Sequence, residues 1–237
     1  MNDIKITARD LSGPDKSVIM GFPGSGLVGS IALTYLIEQL GFEQVGSVTS
    51  KFFPPIVMMS KGVINVPVRL YEKDNLAAVV GDIPIHPMIS YEVANGLLDW
   101  LTQFDLKEIV TIAGIVTNET EKRVFGVATT EEVLKAIEDK TVILPMGSIS
   151  GIAGSILTEC KVRGIPAMGL LGESTATPDP RAAASTIGVL NQMYGLSIET
   201  QPLIDQATEI EAAMARLAEQ VQGTETMQRK EQLPMYG

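Results

Sequence analysis

The chain has 237 residues, of which 45% are hydrophobic and 19% charged, a composition that suits one large globular domain or two small ones. Its 18 basic and 28 acidic side chains leave a formal net charge of −10, which disfavours nucleic acid and anionic membranes as partners. Cys160 is the one cysteine of the chain, so an intrachain disulfide is excluded. No apolar run reaches membrane-spanning length, and a soluble, cytoplasmic protein is therefore expected.

Apolar runs typical of buried strands alternate along the chain with amphipathic runs typical of helices. Strands are predicted at "SVIMGF", "QVGSVTS", "LAAVVGD", "EIVTIAGI", "TVILP" and "IPAMGLLGE", and a short one at the end of the polar loop "VTNETEKRVFGVATT". Helices are predicted over Leu27–Leu40, Met88–Phe104, Glu131–Asp139, Ile152–Arg163 and Pro180–Tyr194. "FPPIVMMSKGVINVPVRLY", from Phe53 to Tyr71, predicts a β-hairpin around "SKG". The pattern indicates an α/β three-layer sandwich with a mostly parallel, mixed sheet.

The C-terminal third begins with a well-marked helix start, because Asp179 can cap the first turn and Pro180 suits the first helical position. A further helix is predicted over 203–221, with one narrow apolar stripe formed by Leu203, Ala207, Ile210, Met214, Leu217 and Val221. That stripe packs either on the protein's own core or on another copy. We therefore predict a single α/β domain over 1–222, followed by a flexible tail over 223–237.

The loop "GFPGSGLVGS" resembles a nucleotide-binding turn. Gly24, Gly26 and Gly29 match G-x-G-x-x-G after a strand and before a helix. The acidic residue expected about 20 positions later is missing from "SVTSK". Leu27 and Val28 stand where a phosphate-binding loop of the Walker type needs Lys and Ser or Thr. The loop is therefore either a tight strand-to-helix turn or a weak anion site at a helix N-terminus.

A second loop repeats the first one, since "GLVGSIA" and "GIAGSIL" share Gly-x-x-Gly-Ser-Ile. Two such loops at one edge of a parallel sheet would point two helix N-termini at one ligand. Alternatively, their small residues only let two helices sit close to the sheet. The residues of this candidate ligand or anion site are Gly24, Ser25, Gly26, Gly29, Gly151 and Gly154.

An enzyme or a sensor of nucleotides or nucleosides is the alternative function. Its polar partners for the two glycine loops would be Asp82, His86 or Asn118, and Arg123. His86 is the one histidine of the chain, and it lies between two prolines in "GDIPIHPM", where a catalytic base and an ordinary loop residue are both compatible with the sequence. A His-rich zinc site is excluded within one chain, and neither a metal nor a cofactor is expected.

Three blocks of the sequence resemble the archaeal branch of the proteasome assembly chaperone 2 family. They are "GFPGSGLVGSIA", "GSISGIAGSIL" and "PDPRAAASTIGVLNQMYGLSIE", and the resemblance covers Val18 to Glu211. It implies a fold similar to purine nucleoside phosphorylase, homo-oligomers, and ATP-independent chaperones that bind the 20S proteasome core. Some members are labelled ATP-grasp-like by similarity, a label that the loop residues do not favour.

The resemblance also gives a meaning to the C-terminus. Met235, Tyr236 and Gly237 match the hydrophobic–tyrosine–any-residue terminus of proteasome activators and assembly factors. Such a tail would insert between neighbouring α-ring subunits, with the carboxylate of Gly237 near a pocket lysine. The sequence therefore predicts a non-enzymatic homo-oligomeric chaperone or adaptor of the proteasome.

Overall fold

A nine-stranded mixed sheet forms the centre of the protein. The computed structural model describes residues 3–117, 119, 121–210 and 212. In spatial order the strands of this sheet are β1 (Ile4–Ala8), β3 (Glu43–Ser50), β6 (Val68–Lys73), β7 (Leu76–Gly81), β2 (Lys16–Gly21), β8 (Leu106–Val116), β11 (Ala167–Ser174), β9 (Val124–Ala128) and β10 (Val142–Ile143). The remaining two, β4 (Met58–Ser60) and β5 (Val63–Asn65), form a separate two-stranded sheet.

The middle of the large sheet is parallel. β7, β2, β8 and β11 are neighbours that run in one direction, and β2, β7 and β11 are buried along their whole length. Towards the edges, β6, β3, β1 and β9 pair antiparallel with their inner neighbours. The predicted mixed α/β sheet is therefore confirmed, with parallel pairing in four of the eight strand pairs.

Helices cover both faces of the sheet. Their bounds are α1 (Val28–Leu40), α2 (Pro87–Leu101), α3 (Glu131–Lys135), α4 (Gly151–Arg163) and α5 (Pro180–Tyr194), and a 3₁₀ turn, Ser25–Leu27, precedes α1. α1 packs beside α5, and α2 packs beside α4. Successive residues of β2 point to opposite faces, so Ile19 lies in the α1/α5 core while Val18 and Met20 lie in the α2/α4 core. The three layers of the sandwich follow from this alternation.

Two details of the sheet differ from the sequence prediction. β1 was not predicted, because it is short and alternates buried Ile4 with the exposed Lys5. The hairpin around "SKG" is present as β4 and β5, but it lies outside the large sheet. The last residues of the predicted hairpin, from Val68 on, instead form β6, which pairs antiparallel with β3 and β7 in the large sheet.

An ion-pair network joins the start of β2 to β6. Lys16 is fully buried and its Nζ lies 2.6 Å from a Glu72 carboxylate oxygen, while Arg9 Nη1 donates to the other oxygen at 2.7 Å. Burial pushes the pKa of Glu72 up, but hydrogen bonds from Lys16, Ser12 and Arg9 outweigh it and lower that pKa. Removal of one partner of this buried pair would leave an uncompensated charge, so the network fixes how the two strands meet.

Residues 201–210 are helical. Leu203 is buried in the α1/α5 core and Ala207 is also buried, so the beginning of the predicted apolar stripe packs on the protein's own core. Met214, Leu217 and Val221 lie outside the described residues, as does the predicted tail with Met235, Tyr236 and Gly237. Within the described part of the chain, no helix is both long and apolar enough to cross a bilayer.

Candidate functional site

The first glycine loop leaves the end of β2 and turns sharply into α1. Gly26 has φ +62° and Leu27 has φ +50°, so the chain passes through the left-handed region just before the helix. The Gly26 carbonyl accepts a hydrogen bond from the Asp179 N–H at 2.9 Å, which ties the turn to the segment before α5. Only glycine adopts the first of these conformations without steric cost.

The glycines on either side of the turn allow close backbone packing. A Cβ on Gly29 would lie 2.4 Å from the Ile112 carbonyl oxygen of β8, and a Cβ on Gly21 would lie 2.2 Å from the Gly29 carbonyl oxygen. The first turn of α1 therefore rests directly on the backbones of β2 and β8. This contact accounts for Gly21 and Gly29 without any ligand.

Gly26 of the first glycine loop packs against Ser174 of β11. A Cβ on Gly26 would lie 2.6 Å from the Ser174 Cβ at the end of β11. Ser174 is fully buried, and its hydroxyl has no hydrogen-bond partner among the described residues. Gly114 of β8 packs against the same loop, since a Cβ added there would lie 2.0 Å from the Ser25 carbonyl oxygen.

The second glycine loop leads into α4. Gly151 has φ +70° and open space around the position of a Cβ, whereas a Cβ on Gly154 would lie 2.2 Å from the Ile149 carbonyl oxygen. Ser150 precedes the helix and makes no side-chain capping bond. Like the first loop, the second one combines a left-handed glycine with a glycine that permits close packing.

One cavity of about 430 Å³ lies between the two loops. Gly24 and Ser25 line it from the first loop and Gly151 from the second, so the structure brings both loops to one place. Gly26, Gly29 and Gly154 are not part of its lining. The walls are mostly apolar, and the polar side chains that reach them are the hydroxyls of Ser25, Thr111, Ser148 and Ser150. Since no charged side chain is among the lining residues, a phosphate would find only neutral partners there. Anion binding by the loops stays a prediction.

The polar residues predicted to accompany these loops have other partners. Asp82 is ion-paired with Arg69, although it also borders a shallow depression of about 520 Å³ beside Gly24. His86 is exposed and caps α2, since its Nδ1 accepts from the Met88 N–H at 3.2 Å. Asn118 lies outside the described residues. Asp82 and His86 are not among the residues that line the cavity between the loops.

Arg123 pairs with a buried carboxylate that the sequence reasoning missed. Its Nε and Nη2 donate to the two oxygens of Glu173 at 2.8 and 3.0 Å. This bidentate pair lowers the pKa of Glu173 to about 2. Beside it, Lys122 Nζ lies 3.0 Å from Asp179 Oδ2, and Asp179 accepts from the Ala182 N–H at 3.1 Å as predicted for a helix cap. Both pairs tie the segment after β8 to the end of β11 and the start of α5.

The described residues contain neither a reactive thiol nor a cluster of metal-binding side chains. Cys160 is fully buried, and burial raises its pKa to about 12, so the unreactive thiol predominates at neutral pH. The residues that the structure describes contain no group of three or more His, Cys, Asp or Glu side chains arranged to hold a metal ion.

A family model matches residues 18–218, which include both glycine loops, the cavity and α5. The chain belongs to the PAC2 family. This is the family that the three sequence blocks resemble, and the match covers most of the chain.

Two solved structures from Pyrococcus furiosus are similar in fold. PbaA, described as an archaeal homolog of proteasome-assembly chaperone, has 32% identity and a TM-score of 0.86, with 97% of each chain covered. PbaB, described as an archaeal proteasome activator, has 27% identity and a TM-score of 0.81, covering 92% of this chain and 100% of PbaB. An uncharacterized protein of Methanocaldococcus jannaschii, MJ0106, is 34% identical over 92% of both chains. The likeness to purine nucleoside phosphorylase is not confirmed by these comparisons.

Proposed function

We propose that this PAC2 protein is a non-enzymatic, homo-oligomeric chaperone or adaptor that binds the α-ring of the 20S proteasome and assists its assembly or activation. The observation that carries the proposal is the fold shared with PbaA over nearly the whole of both chains, since PbaA is described as a homolog of a proteasome-assembly chaperone. The likeness to PbaB, a proteasome activator, supports the same partner.

The candidate site supports a binding role better than a catalytic one. General acid–base or nucleophilic catalysis needs a titratable group at the reacting atoms. The cavity between the loops is lined by apolar groups, hydroxyls and backbone. His86 instead caps a helix at the surface, and Cys160 is a buried thiol.

The C-terminal segment provides the docking element in this proposal. With Gly237 as the last residue, its carboxylate pairs with a lysine of the α-subunit pocket, while Tyr236 contributes an aromatic ring and a hydroxyl and Met235 fills an apolar notch. The polar run 223–233 spans 11 residues and reaches about 35 Å when extended. A single tail binds weakly, and several tails on one oligomer bind tightly through effective concentration.

A pull-down with archaeal 20S particles, or with isolated α-subunits, tests this function. Removal of residues 235–237, or the substitution Tyr236→Ala, should weaken binding by about tenfold or more, because aromatic anchors dominate such interfaces. One residue added after Gly237 should weaken binding as much, since it displaces the terminal carboxylate.

Tyr91→Ala is the matched control, because Tyr91 is an exposed tyrosine (57%) on α2 of the folded domain. It should leave binding unchanged. Equal binding by the wild type and the tail variants would show that the tail does not dock, and no binding by the wild type would refute the proteasome role itself.

The nucleotide or nucleoside role is tested separately by calorimetry with nucleotides, nucleosides and phosphate. Saturable binding of any of these at the cavity would favour an enzyme or sensor. We expect no heat of binding, because charged partners for a phosphate are missing from the lining.

A further inference from the structure

The segment 52–65, which we name the hairpin arm, exposes an unusual amount of apolar surface. It contains the short strands β4 and β5 and the residues that lead into them. Six of the thirteen large hydrophobic side chains that are exposed in the described part of the chain belong to it. They are Phe52, Ile56, Val57, Met59, Val63 and Ile64, with exposures between 48% and 74%.

The hairpin arm is half-buried where its two strands leave the domain, and most of its other side chains are exposed. Met58 and Asn65 are paired across the two strands, are half-buried and line a depression beside Ile37 of α1. Met59 and Ile64 form the next pair, on the opposite side of the two strands, with exposures of 74% and 64%, and Met59 also borders the depression. A two-stranded hairpin alone is at best marginally stable in water, so a covered outer face would stabilise it.

The size of this surface matches one side of a protein–protein contact. Six side chains at about half exposure or more amount to on the order of 600 Å², at the upper end of the patches that monomers leave open. A standard interface takes about 800 Å² from each partner. The hairpin arm could therefore supply most of one side of such an interface.

The charge of the arm identifies the kind of partner. Lys61 is the one charged residue of the hairpin arm, which leaves the rest of the chain with 17 basic and all 28 acidic side chains. Lys51 is paired with Asp3 at 2.7 Å, while Lys61 lies exposed at the hairpin turn. An apolar arm with a positive tip complements an acidic surface, and a second copy of this chain presents one.

We propose that the hairpin arm is the surface through which copies of this chain assemble, with the arm of one copy lying on an acidic surface of the next. Two arms packed on each other would bring two Lys61 side chains together, so the contact is head-to-tail, the kind that closes into rings. This inference deepens the proposed function, which requires an oligomer that presents several tails, and it locates the assembly surface.

Sedimentation velocity and light scattering of the full chain test the inference over a range of protein concentrations. The double variant Met59→Glu with Ile64→Glu puts acidic groups on the outer face, opposite an acidic partner, and should raise the dissociation constant of the oligomer at least 100-fold. Lys61→Glu keeps the apolar area and should weaken assembly by about tenfold, whereas Lys61→Arg should not.

Val162→Glu is the matched control, because Val162 is 76% exposed on α4, on the other face of the sheet. Circular dichroism should show native helix content for every variant, since all the changed side chains are exposed. Assembly of the control together with dissociation of the double variant would support the inference. A monomeric wild type, an assembled double variant, or equal dissociation of variant and control would overturn it.

The two proposals fail independently. Removal of residues 235–237 should weaken binding to 20S particles by about tenfold or more and leave the oligomer intact, whereas the double variant should dissociate the oligomer. If the wild type does not bind 20S particles but still assembles through the hairpin arm, only the proteasome role is refuted.

Discussion

Replacing Gly29 with alanine tests whether the first glycine loop is built for packing or for a ligand. The new Cβ would lie 2.4 Å from the Ile112 carbonyl oxygen, and 3.1 and 3.2 Å from the backbone O and N of Phe22. These neighbours are backbone atoms of the sheet, so α1 must move away from it by about 1 Å. Overpacking of this kind lowers the free energy of unfolding by about 1–3 kcal/mol. We expect Gly29→Ala to lie near the upper end of this range, because its neighbours are backbone atoms that cannot move easily.

The helix propensity of alanine offsets part of that cost by about 1 kcal/mol, which leaves a net loss of about 2 kcal/mol. For a chain of this size the loss lowers Tm by about 4–8 °C. Differential scanning fluorimetry measures the shift, with every variant at one protein concentration because oligomerisation contributes to apparent stability.

Gly188→Ala is the matched control for this experiment. Gly188 lies within α5, and an added Cβ there has no heavy atom within 4 Å. The same substitution should therefore stabilise the protein by about 0.5–1 kcal/mol through helix propensity alone. The packing explanation would be refuted if Gly29→Ala and Gly188→Ala shifted Tm by the same amount in the same direction.

Three further predictions concern buried polar groups. The folded pKa of Glu173 is about 2, below the ordinary 4.5, so its contribution to stability is present above about pH 4.5 and is lost as the pH falls towards 2. In Glu173→Gln, the free energy of unfolding should therefore depend less on pH over that range, as measured by circular dichroism. Cys160 should resist a disulfide reagent at pH 8 in the native protein and react in urea, and rapid native labelling would contradict its burial. Asp179→Ala removes the cap of α5 and the partner of Lys122, so it should cost about 2–4 kcal/mol in urea unfolding, and a loss below 1 kcal/mol would count against both contacts.

Local elements could be predicted because their signals are local. The buried strands β2, β7 and β11 appear in the sequence as apolar runs, and the start of α5 is marked by Asp179 and Pro180. The order of the strands carries no such signal. β3 follows β2 in the chain but lies three positions away in the sheet, because β7 and β6 come between them.

The candidate site could be predicted only in part. The repeat of the two glycine loops was visible, and the structure places both loops beside one cavity. The pairing of Arg123 with Glu173 was not visible, because it joins residues 50 positions apart. Sequence also could not show which side of the hairpin arm faces water, since alternating apolar residues look the same whichever face is covered.

The position of β2 at the centre of the sheet has a consequence for how the chain is made. Both neighbours of β2 come much later in the chain, and Ser17 of β2 hydrogen-bonds to Glu108, 91 residues on. At about 5–20 residues per second, the ribosome needs about 5–20 s to synthesise that interval. The apolar residues Val18, Ile19 and Met20 have neither partner strand until β7 has been synthesised, and they lack the second partner until β8 follows. Contacts this distant in sequence also slow folding, so this PAC2 protein is exposed to misassembly while it is being synthesised.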